Sequence, residues 1–494
     1  MSTQSQDIRS EVLQILQCFQ LSEDKLKDIS DALEKEFVRG LGKDTQEAAS
    51  VKMLPTFIVD TPDGTEKGDF LALDVGGTNL RVHHVHVDKE LTTESEEEKI
   101  PEEKMTGRGD DLFDFIVDKI SAFIDSQKLK DQVLPLGFTF SFPCQQKAID
   151  KSILIRWTKG FSCSGVDGKD VVQLLKEAVD RKQGFKMGPV SVVNDTAATL
   201  MSCIYRNKKC DIGLIVGTGT NACFMEDMRN VQCVDCEDGQ MCINTEWGAF
   251  GEEGSLKDVQ TDFDIEVDKK SNNPGVHIFE KMISGLYLGE IVRVVLVKLT
   301  EDELLFGGQI SDKFRPSVLR VLKTPSQFKT EFISEIEEQD KGPENTVEIL
   351  NKLGLDFSRD LGRDWVEENV KIIRWVCKTI STRAAHLCAA AVTTIAMRIY
   401  ANRIYANRGE KSTADRNITV GVDGTVYKKH PNFKKELEAM VQQLAPELHI
   451  TFQDSEDGSG TGAALTAAVV QRLQNKKAEH DKREERGNGG STSL

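Results

Sequence analysis

The sequence predicts a mixed α/β protein built as two lobes, and three observations carry that prediction. The chain has 494 residues, more than one hydrophobic core usually supports. Strand-type and helix-type patterns alternate along its length instead of segregating. Three of the strand-type runs end in glycine turns of a kind that can cradle an anion.

Taken in order, residues 8–40 have the helical period, with Val12, Ile15, Leu16 and Phe19 on one face and charges on the other. Residues 51–67 carry Pro55, Pro62 and Asp63-Gly64 and read as extended chain with turns. Residues 69–87 alternate apolar and polar around Gly76-Gly77, which predicts two strands joined by a tight turn. The acid-rich segment 88–104 is expected to be a solvated loop. Residues 112–123 form a helix, 134–140 a strand, 171–181 a helix, and 190–193 a strand entering a helix near Thr196. Strands at 211–216 and 221–225 flank Gly217-Thr218-Gly219. Long helical patterns follow at 278–299 and 372–399, then a strand at 418–422 and a small-residue helix at 460–473. Residues 398–407 read RIYAN twice, too short for a repeat architecture and expected to lengthen a helix end or loop. The segment 475–494 is charged and then rich in Gly and Ser, and is expected to be disordered.

Composition narrows the function classes. Hydrophobic residues at 39% and charged residues at 29% suit a globular chain in water. A net charge of -17 disfavours nucleic acid and anionic membrane as principal partners. The opening MSTQSQDIRS has no apolar core of a secretory signal. The longest nearly apolar stretch, 384–397, is too short to span a bilayer, so no membrane insertion is expected. Eleven cysteines include one CxxC, Cys233 and Cys236, without a second pair or a histidine cluster at finger spacing. Reduced thiols and a cytoplasmic protein are the expectation. Arg108-Gly109-Asp110 and Asn194-Asp195-Thr196 match an adhesion tripeptide and a glycosylation sequon. Both need an extracellular protein, and they read as chance.

The glycine turns are Asp74-Val75-Gly76-Gly77-Thr78-Asn79, Gly217-Thr218-Gly219-Thr220-Asn221 and Gly421-Val422-Asp423-Gly424-Thr425. Glycine lets the backbone approach an anion, and its N–H groups then meet phosphate oxygens. One such turn is as readily a plain hairpin; three point to phosphate. GxxxxGK[ST] does not occur, which excludes a P-loop. Residues 217–222 fit GxGxxA, but 221–225 continue as a strand where that fingerprint must open a helix, so a dinucleotide is disfavoured.

These motifs, together with LGFTFSFPC at 136–144, WTKGF at 157–161, NDT at 194–196, INTEWGAFGEEG at 243–254, FEKMISGLYLGE at 279–290 and SEDGSGTGAAL at 455–465, resemble the ATP-dependent hexokinase family in its single-unit, animal-type form. The resemblance runs from about residue 10 to 473. It implies an actin-like, ribonuclease-H-like fold of two lobes with a cleft between them. Residues 1–68 would pack on the large lobe, 69–205 with the helix at 461–473 would form the small lobe, and 206–460 the large one. It implies transfer of the γ-phosphoryl group of MgATP to the 6-hydroxyl of glucose and related hexoses, by a monomer.

Residue by residue, the resemblance makes Asp195 the base that takes the sugar's proton, and Lys159 the cation facing the transferred group. The sugar contacts are Ser141, Thr158, Lys159, Asn194, Asp195, Asn221, Glu246 and Glu280. The nucleotide contacts are Asp74, Gly76, Gly77, Thr78, Asn79, Arg81, Gly217, Thr218, Gly219, Ser334, Gly424, Thr425 and Ser459, with Asp74 holding Mg²⁺ through water. Three residues have plainer readings: Asn194 and Asp195 both suit a helix N-cap, and Glu246 suits a solvated loop.

The sequence departs from the family pattern at Ala198 in place of glycine, Leu80 in place of an aromatic residue, His277 in place of glutamine and Thr461 in place of a basic residue. His83, His84 and His86 on one strand read as a non-metal set, without an acid or cysteine at ligand spacing. Two rival functions stay open: a sugar sensor without turnover, against which Asp195, Lys159 and the glycine turns argue and which Ala198 keeps open, and a phosphotransferase for another acceptor, which WTKGF and NTEWG disfavour.

Overall fold

The structure, a computed structural model, describes residues 3–76, 79–88, 90–157, 160–235, 238–307, 311–338, 342–355, 362–407, 414–455 and 458–488. The chain opens with α1 (Thr3–Leu16) and α2 (Glu23–Leu41). The predicted helix over 8–40 is therefore interrupted. Ser22 starts a new helix, its hydroxyl accepting from Lys25 N at 3.2 Å. Leu26, Ile29, Leu33 and Phe37 then bury one face of α2 at helical spacing.

The two-residue β1 (Leu54–Pro55) precedes β2 (Gly68–Gly76) and β3 (Asn79–Val87), which pair antiparallel from Gly68 opposite Val87 to Gly76 opposite Asn79. The acid-rich segment is not a loop. It forms β4 (Leu91–Lys99), paired with β3 along its whole length. The β3 edge offers unpaired N–H and C=O groups, and the glutamates of β4 stay largely in solvent while its backbone covers that edge.

Next come α3 (Glu102–Thr106), α4 (Gly109–Ser126), β5 (Leu134–Phe140), the hairpin β6 (Cys144–Ala148) and β7 (Lys151–Leu154), α5 (Val171–Lys182) and β8 (Met187–Val193). They complete a five-stranded sheet in the order β4-β3-β2-β5-β8, with β2, β5 and β8 parallel. Every residue of β5 is buried, as expected of a central parallel strand covered on both faces. Leu71, Leu73, Leu136 and Phe138 pack with α4 and α5, while Phe70, Ala72 and Val85 join a second core on the other face.

That second core is built with α6 (Asp195–Arg206), which leaves the end of β8 and packs onto the second sheet. Its strands include β9 (Cys210–Val216), β10 (Thr220–Asp227) and β11 (Gln240–Asn244). Helices α7 (Asp262–Lys270), α8 (Ile278–Ile283) and α9 (Gly285–Glu301) follow. The single helix predicted at 278–299 is broken at Ser284, which is extended at φ -80°, ψ 155°. The break frees the first N–H groups of α9 to bond the glycine turn after β9, Gly285 N to Gly217 O at 2.8 Å and Leu286 N to Thr218 O at 3.1 Å.

The chain continues through α10 (Ser311–Leu322), α11 (Thr330–Glu337), α12 (Pro343–Lys352) and α13 (Arg363–Ala406). By length and apolarity α13 passes for a membrane span, but 78% of its most apolar window is buried among α2, α9 and α15 (Phe433–Leu444), as a core helix. The RIYAN duplication lengthens its C-terminal end. Arg398 of the first copy pairs with Glu226 and, at 2.5 Å, Glu34, whereas Arg403 of the second pairs with Asp211 and donates to Asn417 O at 2.7 Å.

β12 (Asn417–Asp423), α14 (Thr425–Lys429) and β13 (His449–Asp454) complete the six-stranded order β1-β11-β10-β9-β12-β13. Last comes α16 (Gly458–Asn488), which packs on α6 and on β2, β5 and β8. The segment from 475, expected to be disordered, stays helical to Asn488, its Ala, Glu, Lys and Arg residues being good helix formers. Residues 489–494 lie outside the described residues.

Candidate active site

The site begins where β8 hands over to α6. Asn194 is the N-cap, its Oδ1 accepting from Thr196 N at 2.9 Å and from Thr196 Oγ1 at 2.5 Å. Asp195 is the first helical residue, and its Oδ1 shares the same Thr196 N–H at 2.8 Å. Capping is therefore Asn194's work, and Asp195 adds to it. The Asp195 carboxylate sits half-buried at the positive end of α6.

A second group assembles after β9. Asn221 brackets two chain segments. Its Nδ2 donates to Asn244 Oδ1 at 2.7 Å and Glu246 Oε1 at 3.1 Å, and its Oδ1 accepts from Ala222 N, Glu246 N and Thr245 Oγ1 at 2.8, 3.0 and 3.1 Å. Asn244 Nδ2 adds a bond to Glu246 Oε1 at 2.7 Å. Glu246 itself is left-handed, at φ 54° and ψ 41°, a conformation costly for a non-glycine residue and typical of sites that over-determine it. Trp247 beneath it is fully buried and donates to Thr220 Oγ1 at 3.3 Å.

Glu280, on α8, joins this group through Thr220 N, which donates to its Oε2 at 3.1 Å. A Cβ on Gly219 would lie 2.6 Å from the same oxygen, so glycine is needed there for closeness. The Glu246 carboxyl is held above the usual range by burial first and then by the charges of Asp195 and Glu280, against the hydrogen bond from Asn244 and the charge of His277. Asp195, at the start of α6, and Glu280, on α8, thus both act on Glu246. Glu246 is no solvated loop acid.

Of the three turns expected to bind phosphate, the first stands apart from the other two. Asp74 meets Ser459 Oγ at 3.4 Å, and a Cβ on Gly76 would stand 3.1 Å from Ser141 Oγ and 3.7 Å from Asp74 Oδ1. A Cβ on Gly217 would lie 3.4 Å from Gly424 Cα and 3.5 Å from Thr425 N, so the second and third turns abut. Gly424 has φ 114°, which favours glycine, and its own Cβ would overlap Val216. Thr218 and Thr425 are exposed beside them. Ser334 is half-buried on α11, whose first residue Thr330 donates to Gly285 O at 2.6 Å, next to the Gly217 turn. The Asn79 amide and Arg81 Nε bond Glu97 of β4, the latter at 3.0 Å.

Gly77, Thr78, Thr158, Lys159 and Cys236 lie outside the described residues. Beside 158–159, Trp157 stacks on Phe161 at 5.4 Å and donates to Cys163 O at 2.9 Å. The histidine strand corrects one expectation. An acid does face it, for His84 Nε2 and His86 Nδ1 each lie 2.9 Å from Asp69 Oδ1. Strand pairing brings Asp69 there, which spacing along the chain does not reveal. No group of three or more metal-ligating side chains able to hold a metal occurs among the described residues.

Asn244, Thr220 and His277 are the site residues that sequence reasoning missed. Asn244 had a signal: it stands within the INTEWGAFGEEG stretch, two residues before Glu246.

Two hexokinase family models match residues 11–205 and 211–469. Human hexokinase-2 is 47% identical over 464 residues, covering 93% of this chain and 48% of its own length. Human hexokinase-1 is 45% identical over 462 residues, with coverages of 93% and 48%. The chain thus spans about half the length of the curated relatives it matches. The structure of hexokinase from Schistosoma mansoni complexed with glucose superposes with a TM-score of 0.81 at 39% identity, covering 94% of this chain and 99% of that one. The chain belongs to the hexokinase family.

Proposed function

We propose that the protein is an ATP-dependent hexokinase, transferring the γ-phosphoryl group of MgATP to the 6-hydroxyl of glucose and related hexoses and releasing hexose 6-phosphate and ADP, the first step of glycolysis. One observation carries the reading. Thr220 N bonds Glu280, so a single residue separates the Gly217–Gly219 phosphate turn from the carboxylate cluster that also contains Glu246 and feels Asp195. Acceptor and donor sites are contiguous along one backbone. The S. mansoni hexokinase, similar over nearly its whole length, was solved with glucose.

In this reading Glu246 and Glu280 accept hydrogen bonds from sugar hydroxyls, each worth about 1.5–3 kcal/mol for a charged acceptor. Asn194, Asn221, Ser141, Thr158 and Lys159 complete the sugar's contacts. Asp195 takes the 6-hydroxyl proton as that oxygen attacks the γ-phosphorus and the bond to ADP breaks. General-base help of this kind is worth about 10²–10⁴ in rate. Lys159 and the N–H groups of the glycine turns face the charge spread over the transferred oxygens. The carboxylate of Asp74, with the hydroxyls of Ser459 and Ser141 close by, is a hard-oxygen donor set that suits a hydrated Mg²⁺ arriving with ATP. That ion would neutralise phosphate charge.

The proposed lobes are 69–205 with 461–473, and 206–460, with 1–68 on the larger. Support comes from α16 packing against β2, β5 and β8, and from α1 and α2 packing against α13. The ten described cysteines are all free, which supports a reducing compartment such as the cytosol.

A coupled assay of ADP release with MgATP and glucose, fructose, mannose or no sugar tests the function. Sugar-dependent ADP release is expected, with little in its absence. Glucose binding without turnover would instead establish a sensor.

A further inference from the structure

Beside the carboxylate cluster stands a histidine that the reaction as derived above does not use. His277 initiates α8 in the left-handed conformation, φ 57° and ψ 48°, directly after the turn containing Gly275 at φ 76°. Its backbone N is pinned by Glu252 Oε1 at 2.7 Å, which fixes where the side chain leaves the chain. The ring, about one-third exposed, brings Nδ1 to 3.4 Å from Glu280 Oε1. From the neighbouring turn, a Cβ on Gly248 would lie 3.4 Å from the same nitrogen, so the ring is packed against the Glu246–Trp247 segment.

The charges around this ring are of one sign. Glu280 faces it from its own helix, Glu246 from the segment after β11 and Glu252 from the following loop. Asp195, at the start of α6, acts on Glu246 from the other side. Lys281, the next cation along α8, is turned away and bonded to Asp268 Oδ1 and Asn273 O, each at 2.7 Å. Among the described residues, His277 is the ion-pair partner found for Glu280.

A bound hexose is neutral. It removes the remaining water from Glu246 and Glu280 without bringing a counter-charge, so carboxylates already partly desolvated act on each other at still lower effective dielectric. A cation at the rim offsets that cost, and it does so only while the ring carries both protons. We propose that protonated His277 is the positioning cation of the sugar pocket, holding Glu280 through its ring N–H, so that hexose affinity is high while the ring is charged and falls when it is not. The inference rests on reading the Glu246–Glu280 cluster as the sugar site.

The direction in pH follows from linkage. The hydrogen bond to Glu280, then the charges of Glu280, Glu246 and Glu252, raise the His277 pKa above the ordinary value, outweighing burial. The favourable interaction is therefore complete below about pH 6.5, the ordinary histidine value, and is lost as pH rises through the raised one.

The test is glucose affinity of the full chain, by titration calorimetry from about pH 6 to about pH 9, the range over which a histidine gains or loses its charge. Wild type is compared with His277→Gln, which keeps an N–H donor without a titrating charge, and with His277→Asn, which suits a left-handed backbone should the first fold poorly. The wild-type Kd for glucose is expected to rise about threefold to tenfold across the range, as linkage gives when closure over sugar raises the histidine pKa by about a half to one. The variants should show a flat profile. A variant with the wild-type slope, or a wild type without one, overturns the role of His277 while leaving the sugar site intact. Failure of every protein to bind glucose at any pH overturns the sugar-site reading and this inference with it.

Discussion

At the scale of single residues, Asp195 carries the sharpest expectation. Its carboxylate shares one N–H with Asn194, whose amide also holds the Thr196 hydroxyl. Removing it leaves the N-cap in place, so Asp195→Ala should fold with little change in Tm. Its kcat should nevertheless fall at least about 10²-fold, the low end for a lost general base. Stopped kinetics and a melting curve on the same preparation check both halves. A normal kcat with a lowered Tm would make Asp195 a capping residue after all. Residues such as Asn221, Glu246 and Glu280 were legible because they stand in unusual motifs, and the structure brings them together. His277 was visible only as a departure from a pattern. Its role comes from a left-handed backbone and from Glu280 one turn along, neither of which composition or period reveals.

At the scale of elements, α6 and α16 meet through glycine. A Cβ on Gly462 would fall inside the carbonyl of Ala198, and one on Gly137 of β5 would do the same to Ala463. The small-residue run in α16 is thus what lets a helix lie between a sheet and the helix that carries Asp195. Gly462→Ala should destabilise by about 1–3 kcal/mol, the usual result of overpacking a tight core, seen as a lowered urea midpoint at unchanged slope. An unchanged midpoint would mean that the two helices separate at no cost. Strands and helices with clear periods were readable from the sequence, including β2, β3, β5, β8, β9 and α13 in outline. The strands β6, β7, β11 and β13 and the helices α3, α7, α10, α11, α12, α14 and α15 were not read at all, and three further segments were misread, the first two for a tertiary reason and the third for a local one. β4 is a strand because β3 needs an edge partner, not because glutamates favour strands. The apolar period runs unbroken across Ser284, but the Gly217 turn requires the free N–H groups of a helix start there. Ser22 ends one helical run and caps the next while the apolar face continues.

At the scale of the whole molecule, the carboxylates that define the site belong to different parts of the fold. Glu246 and Glu280 follow strands and turns of the six-stranded sheet, whereas Asp195 and Ser141 follow β8 and β5 of the five-stranded one. The chain passes between the two sheets before β2, after α6 and before α16. Arg472 on α16 ties the first of these passages, bonding Asp60 Oδ2 at 2.8 Å, Thr61 O at 3.0 Å and the buried Glu66. Few covalent crossings, one of them clamped to a helix, suit a hinge better than a rigid joint. A hexose bound between the sheets gains contacts from both only if they approach, and approach also excludes the water that would otherwise accept the phosphoryl group. Saturating glucose should therefore lower the radius of gyration measured by small-angle scattering. MgATP alone should do less, because its proposed contacts do not include Glu246 and Glu280. A glucose complex, verified by calorimetry on the same sample, with an unchanged radius of gyration would rule out closure and leave Asp195 and Glu246 to act from a preformed pocket.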